Sequence, residues 1–146
     1  MSNAALDVLK TNLESLKQSI KWLRRSYDIC MGIGTKDNYT EDEFDHFENL
    51  TSRYARTTDL LIGKVLRSID SVELMNSGSI IDAANGAEKR GIVESVSKLR
   101  DLKDLRNAIA HEYETEDIKT LFSLALASSS QLFEIADKAI KYCGKY

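Results

Sequence analysis

Leu6–Cys30 reads LDVLKTNLESLKQSIKWLRRSYDIC, and in it Leu6, Leu9, Leu13, Leu16, Ile20, Leu23, Tyr27 and Cys30 recur at steps of three and four residues. Such a pair of steps spans close to two helical turns, so these side chains fall along one seam of an α-helix of roughly 28 residues. A strand would instead alternate apolar and polar residues, and this stretch does not. A helix with one long apolar seam must bury it against other helices, which predicts a bundle. Lys10, Lys17, Lys21, Arg24 and Arg25 occupy the remaining faces. A solvated face and an RNA-binding stripe both fit that pattern. Gly32-Ile33-Gly34 ends the helix.

Working outward, the next start is strongly marked. Thr40 is a good N-cap, Glu43 completes a capping box, and Tyr39 and Phe44 stand where a hydrophobic staple would close. Phe44, Phe47, Leu50, Tyr54, Leu61, Val65 and Ile69 then form an inward face. Asp70–Gly78 reads as a connection or a frayed helix end. Ser79-Ile80-Ile81-Asp82 opens a short helix to about Lys89, and Gly91 punctuates it. Ile92, Val96, Leu99, Leu102, Leu105 and Ile109 form the seam of a further helix. Thr115 caps the last one, whose seam is Ile118, Leu121, Ala125, Ser128, Leu132, Ile135, Ala139 and Tyr142. The expected fold is all-α: a single domain over residues 1–146, an up-and-down bundle of four longer helices plus one short helix.

Composition agrees. The 146 residues include no Pro and only 7 Gly, with 42% hydrophobic and 29% charged, as in an ordinary globular helical chain. With 20 basic and 23 acidic residues the net charge is −3, so no overall basic excess drives nucleic-acid binding and any RNA contact rests on a local patch. Cys30 and Cys143 lie too far apart for a metal-ligand spacing and read as buried thiols in a reducing compartment. His46, among Asp42, Glu43 and Asp45, reads as a surface histidine; no metal or cofactor is expected. No apolar run approaches the ~18 residues of a membrane span, and no secretory leader opens the chain. A cytoplasmic location without membrane contact is expected.

One stretch carries chemistry. Arg106-Asn107-Ala108-Ile109-Ala110-His111-Glu112-Tyr113 gathers an Arg, an Asn, one of two His and a Tyr into eight residues. Metal-free RNA cleavage needs a group that moves protons near neutral pH, which His supplies. It also needs a fixed cation for phosphate, which Arg supplies, and Asn can orient either. Residues five apart on a helix are turned by about 140°. Arg106 and His111 of one chain therefore share a face only if the helix breaks near Ala110 or the Arg bends round. Two protomers about a two-fold axis would bring both pairs into one cleft, so the enzyme reading requires a homodimer. The same residues also suit a plain helix C-terminus, where Arg and His complement the dipole and Asn and Tyr end helices.

The segment resembles the R-x4-H-x-Y signature of the HEPN superfamily in its HepT-like toxin branch. Asn107 directly after the Arg, the upstream Gly91-Ile92-Val93, and the spacing of Leu99, Leu102 and Leu105 agree with it, over about Gly91–Tyr113. The resemblance implies a dimeric helical bundle acting as a metal-independent ribonuclease toxin on RNA such as tRNA or mRNA. Arg106 and His111 would be the catalytic pair, with Asn107 assisting. It further implies a minimal nucleotidyltransferase antitoxin that transfers AMP onto Tyr113, placing bulk and phosphate charge beside Arg106. Acidic Glu112, Glu114, Glu116 and Asp117 follow the motif, while Lys89, Arg90, Lys98, Arg100 and Lys103 precede it. Two other readings use the same residues: a non-catalytic nucleotide- or substrate-binding partner of a nucleotidyltransferase, and a helical adaptor whose motif only closes a helix.

Overall fold

The computed structural model describes residues 3–74, 79–111 and 118–146, among which there are helices and no strand. Helix α1 spans Asn3–Ile33 and α2 spans Glu41–Thr58. A π-helical segment, Asp59–Val65, joins α2 without a break to α3, Leu66–Val72. Then follow the short α4 (Ile80–Lys89), α5 (Val96–Ala110) and α6 (Ile118–Tyr142), which ends in a 3₁₀ turn. Counting α2–π–α3 as one rod, five helical bodies pack together. Helix α1 lies on the rod and on α6, α2 lies on α5 and α6, and α4 bridges α3 and α5.

The seam of α1 is half as expected. Leu9, Leu16, Leu23 and Cys30, seven apart, are fully buried, but Leu6, Leu13, Ile20 and Tyr27 are only half-buried. The buried face is turned instead toward a polar line with the same seven-residue repeat. Asn12 donates to Ser68 at 2.7 Å, Ser19 and Thr57 share a hydrogen bond of 2.6 Å, and Ser26 accepts one of 2.7 Å from Arg53. Each pair satisfies groups that would otherwise be buried at a cost. The α1 cations Lys10, Lys17, Lys21, Arg24 and Arg25 are all exposed. Gly34, at φ +77°, closes the helix by donating to the Cys30 carbonyl at 2.8 Å.

Both arms of the Thr40/Glu43 capping box form. Tyr39 and Phe44 each meet Phe122 of α6, at ring distances of 5.8 and 5.1 Å, and Phe47 stacks on it at 5.1 Å. Further along, Thr58, Ile62, Leu66 and Asp70 are all buried. In an α-helix every step of four overshoots a full turn by about 40°, so three steps would carry the last residue well round the rod. The π turn absorbs this drift: the Leu66 N–H reaches the Leu61 carbonyl, five residues back.

Of the two readings of Asp70–Gly78, a connection or a frayed helix end, its first residues follow the second. The helix continues through Val72 and Asp70 is 1% exposed. Met75–Gly78 lie outside the described residues. Asp70 pairs with Arg90 (Nη1–Oδ1, 2.7 Å), Arg90 Nε donates to Glu73 at 2.9 Å, and the hydroxyls of Tyr142 and Tyr146 both donate to Glu73 Oε2. Gly86 leaves the room: a Cβ there would stand 2.6 Å from Arg90 Nη1. Arg90 is itself the C-cap of α4. Gly91 at φ +75° and Ile92 close that end, donating to the carbonyls of Glu88 and Ala87 in a Schellman arrangement. In α6, Leu121, Ala125, Leu132, Ile135 and Ala139 are buried as expected, whereas Ser129, whose hydroxyl donates to the Ala125 carbonyl, takes the inner place given to Ser128. Thr115, expected to cap α6, lies outside the described residues. Among the described residues, no helix is long and apolar enough to cross a membrane.

Candidate functional site

Helix α5 begins with Ser95 at the cap position, but the side chain bound to its first turn is Glu88, which accepts from the Val96 N–H at 2.9 Å. Leu99, Leu102, Leu105 and Ile109 then point inward, and the Tyr54 hydroxyl donates to the Leu102 carbonyl at 3.1 Å, tying α5 to α2. This fixes the rotation of α5 and with it the direction of the residues between the anchors. Arg106 turns toward α2, half-buried; Asn107 is next in sequence and exposed.

The helix ends at Ala110. His111 is the C-cap, with φ −110° and ψ 18°, exposed, its backbone N–H reaching the carbonyls of Ala108 and Ile109. The regular helical path thus ends at Ala110, and His111 departs from it. Tyr113 and the acidic residues Glu112, Glu114, Glu116 and Asp117 lie outside the described residues.

Arg106 holds an anion already. Its Nε donates to Asp59 Oδ1 at 2.8 Å and its Nη2 to Asp59 Oδ2 at 2.9 Å, a two-point grip of fork on carboxylate. That hydrogen bond to Asp59, with its charge, raises the Arg106 pKa above its ordinary value. Lys103, one turn back on α5, places its Nζ 3.9 Å from Asp59 Oδ1. Asp59 is the first residue of the π segment. Beside the pair runs an open groove between α2 and α5 lined by Glu48, Asn49, Ser52, Ala55 and Ile109, with Arg106 along its edge.

The structure thus brings Arg106 together with Asp59 and Lys103, and leaves Asn107 and His111 on the exposed end of α5. Asp59 carries no sequence signal that would single it out: it lies 47 residues from Arg106, with no motif between them. Its one mark is a charge opening the largely apolar run Leu60–Leu66. Of the basic residues preceding the motif, Arg90 is withdrawn into the ionic cluster, Lys98 is bonded to Glu94 at 2.7 Å, and Arg100 is exposed. His46 is half-buried and its carbonyl accepts from the Cys30 thiol. Among the described residues, no group of three or more His, Cys, Asp and Glu side chains is placed to hold a metal ion. No protein-family model matches the chain, and neither curated proteins nor solved structures give a match.

Proposed function

We propose that this chain is a HEPN-type ribonuclease toxin of the HepT-like kind, an up-and-down helical bundle acting in the cytoplasm as a homodimer and cleaving RNA without a metal. The observation that carries this reading is the R-x4-H motif at the broken end of α5, with the Arg106 fork already gripping an oxyanion at two points beside an open groove. A fork that holds a carboxylate in this way has the geometry to hold a phosphodiester. His111 supplies the proton-moving group. In a dimer cleft one imidazole takes the 2′-hydroxyl proton while the 2′ oxygen attacks phosphorus. The bond to the 5′ oxygen breaks, leaving a 2′,3′-cyclic phosphate, and the second imidazole, protonated, gives its proton to that oxygen. Arg106 carries the charge on the phosphorane, and Asn107 orients its neighbours.

A nucleotidyltransferase partner would silence the site by transferring AMP to Tyr113. The test is induced expression of the wild type alone beside His111→Ala at equal level. Arrest by the wild type and rescue by the variant is the expected result; growth unimpaired by a folded dimer overturns the toxin reading. Co-expression with the partner adds one AMP mass to the wild type and none to Tyr113→Phe. A second reading uses the same fork: a non-catalytic nucleotide-binding partner of a nucleotidyltransferase, in which Arg106 and His111 hold a nucleotide phosphate. Nucleotide binding without RNA turnover would select it.

A further inference from the structure

Lys103 and Arg106 stand one helical turn apart on the same side of α5, and both face one carboxylate, Asp59 of the neighbouring rod. Two cations thus face a single carboxylate, while Glu48 lines the groove beside them. The side chains are only partly withdrawn from water, 30% exposed for each cation and 43% for Asp59, so an incoming anion reaches them without unfolding anything. The carboxylate occupies the Nε–Nη2 edge of the guanidinium, the same edge a phosphate takes in a two-point contact.

We infer that Lys103 and Arg106 form a two-cation phosphate site and that Asp59 is its resident competitor, which a phosphate group must displace to bind. The inference deepens the proposed function, since it concerns the same Arg106, but the site binds phosphate whether or not RNA is cleaved. Asp59 sets the threshold: while it fills the fork, only a ligand of higher charge or with further contacts along the α2–α5 groove gains entry. Neither Lys103 nor Asp59 belongs to the R-x4-H-x-Y pattern. Lys103 contributes as a mobile point charge, and Arg106 as the planar fork that fixes the ligand's orientation.

The experiment is titration of the intact protein with inorganic phosphate, followed by the Arg side-chain Nε–H resonances in NMR. Wild type, Asp59→Asn, Asp59→Ala, Asp59→Asn/Lys103→Gln and Arg106→Ala are compared, each first shown to be folded by its backbone spectrum. Removing the competitor is expected to tighten phosphate binding about tenfold in both Asp59 variants. Lys103→Gln in the Asp59→Asn background gives back a large part of that gain, and Arg106→Ala abolishes the response. Phosphate binding no tighter in the Asp59 variants than in wild type overturns the inference and leaves Asp59 as a positioning residue for Arg106. A gain insensitive to Lys103→Gln overturns the two-cation site. A protein that shows the expected titrations but no growth arrest loses the toxin reading and keeps this one.

Discussion

Replacing Arg90 with Met would expose how much of the stability rests on one ionic cluster. Asp70 has a side chain 2% exposed and Arg90 one 9% exposed, with 2.7 Å between them. The variant strands the Asp70 carboxylate without its cation and takes a donor from Glu73. Breaking a buried pair from one side costs about 3–5 kcal/mol, against a total of roughly 5–15 kcal/mol for a domain. In urea denaturation the midpoint should fall accordingly, with the slope little changed. A double variant, Asp70→Leu with Arg90→Met, should recover much of the loss, since an apolar pair leaves no charge behind. A single-variant cost under about 1 kcal/mol, or a double variant no better than the single, would refute the view that this pair is buried and coupled.

Three further outcomes are expected. Burial pushes the Glu73 carboxyl upward, but hydrogen bonds from Tyr142, Tyr146 and Arg90 outweigh it and hold the group near about 2, below its ordinary 4.5. A depressed acid stabilises the fold above the unfolded value and loses that contribution as pH falls through the folded one. The melting-temperature gap between wild type and Glu73→Gln should thus narrow from pH 4.5 down to about 2, and a constant gap would contradict the assignment. Thr40→Ala removes one arm of the capping box and should cost about 1 kcal/mol in chemical denaturation; no loss would mean that the aromatic cluster alone fixes the start of α2. Burial raises the Cys30 thiol to about 12, and burial followed by the Glu73 charge raises Cys143 to about 11. Native protein should therefore leave both thiols unreacted with a disulfide reagent near pH 8 and titrate both in denaturant, whereas stoichiometric labelling of the native state would show one to be accessible.

Apolar spacing and capping chemistry made the helices readable, because both are local. The Thr40/Glu43 box, the glycine ends at Gly34 and Gly91 and the Leu99–Ile109 anchors of α5 all stand where their residue types put them. What escaped was every place where a polar residue is inside. Asn12, Ser19 and Ser26 repeat as regularly as the leucines, yet a serine says nothing of burial until its partner across the seam is known. For the same reason Asp70 read only as the start of a connection or frayed helix end, and Arg90 only as one of the basic residues before the motif, although the two form a buried pair. Along α5 the places of the candidate residues were legible: Arg106 and Asn107 fall in its last turns and His111 at its cap, where the helix ends. Asp59 was not, since its pairing depends on the relative rotation of two helices far apart in sequence.

That rotation gives the π turn a role beyond packing. The rod carries two charged stations, Asp59 aimed at Arg106 and, past the widened turn, Asp70 and Glu73 aimed at Arg90. The extra residue between them acts as a phase shifter along a shaft. Were the segment to wind as an α-helix with every residue kept, one station would turn against the other by about 100°. The shaft could then mesh with α5 or with Arg90, but not with both.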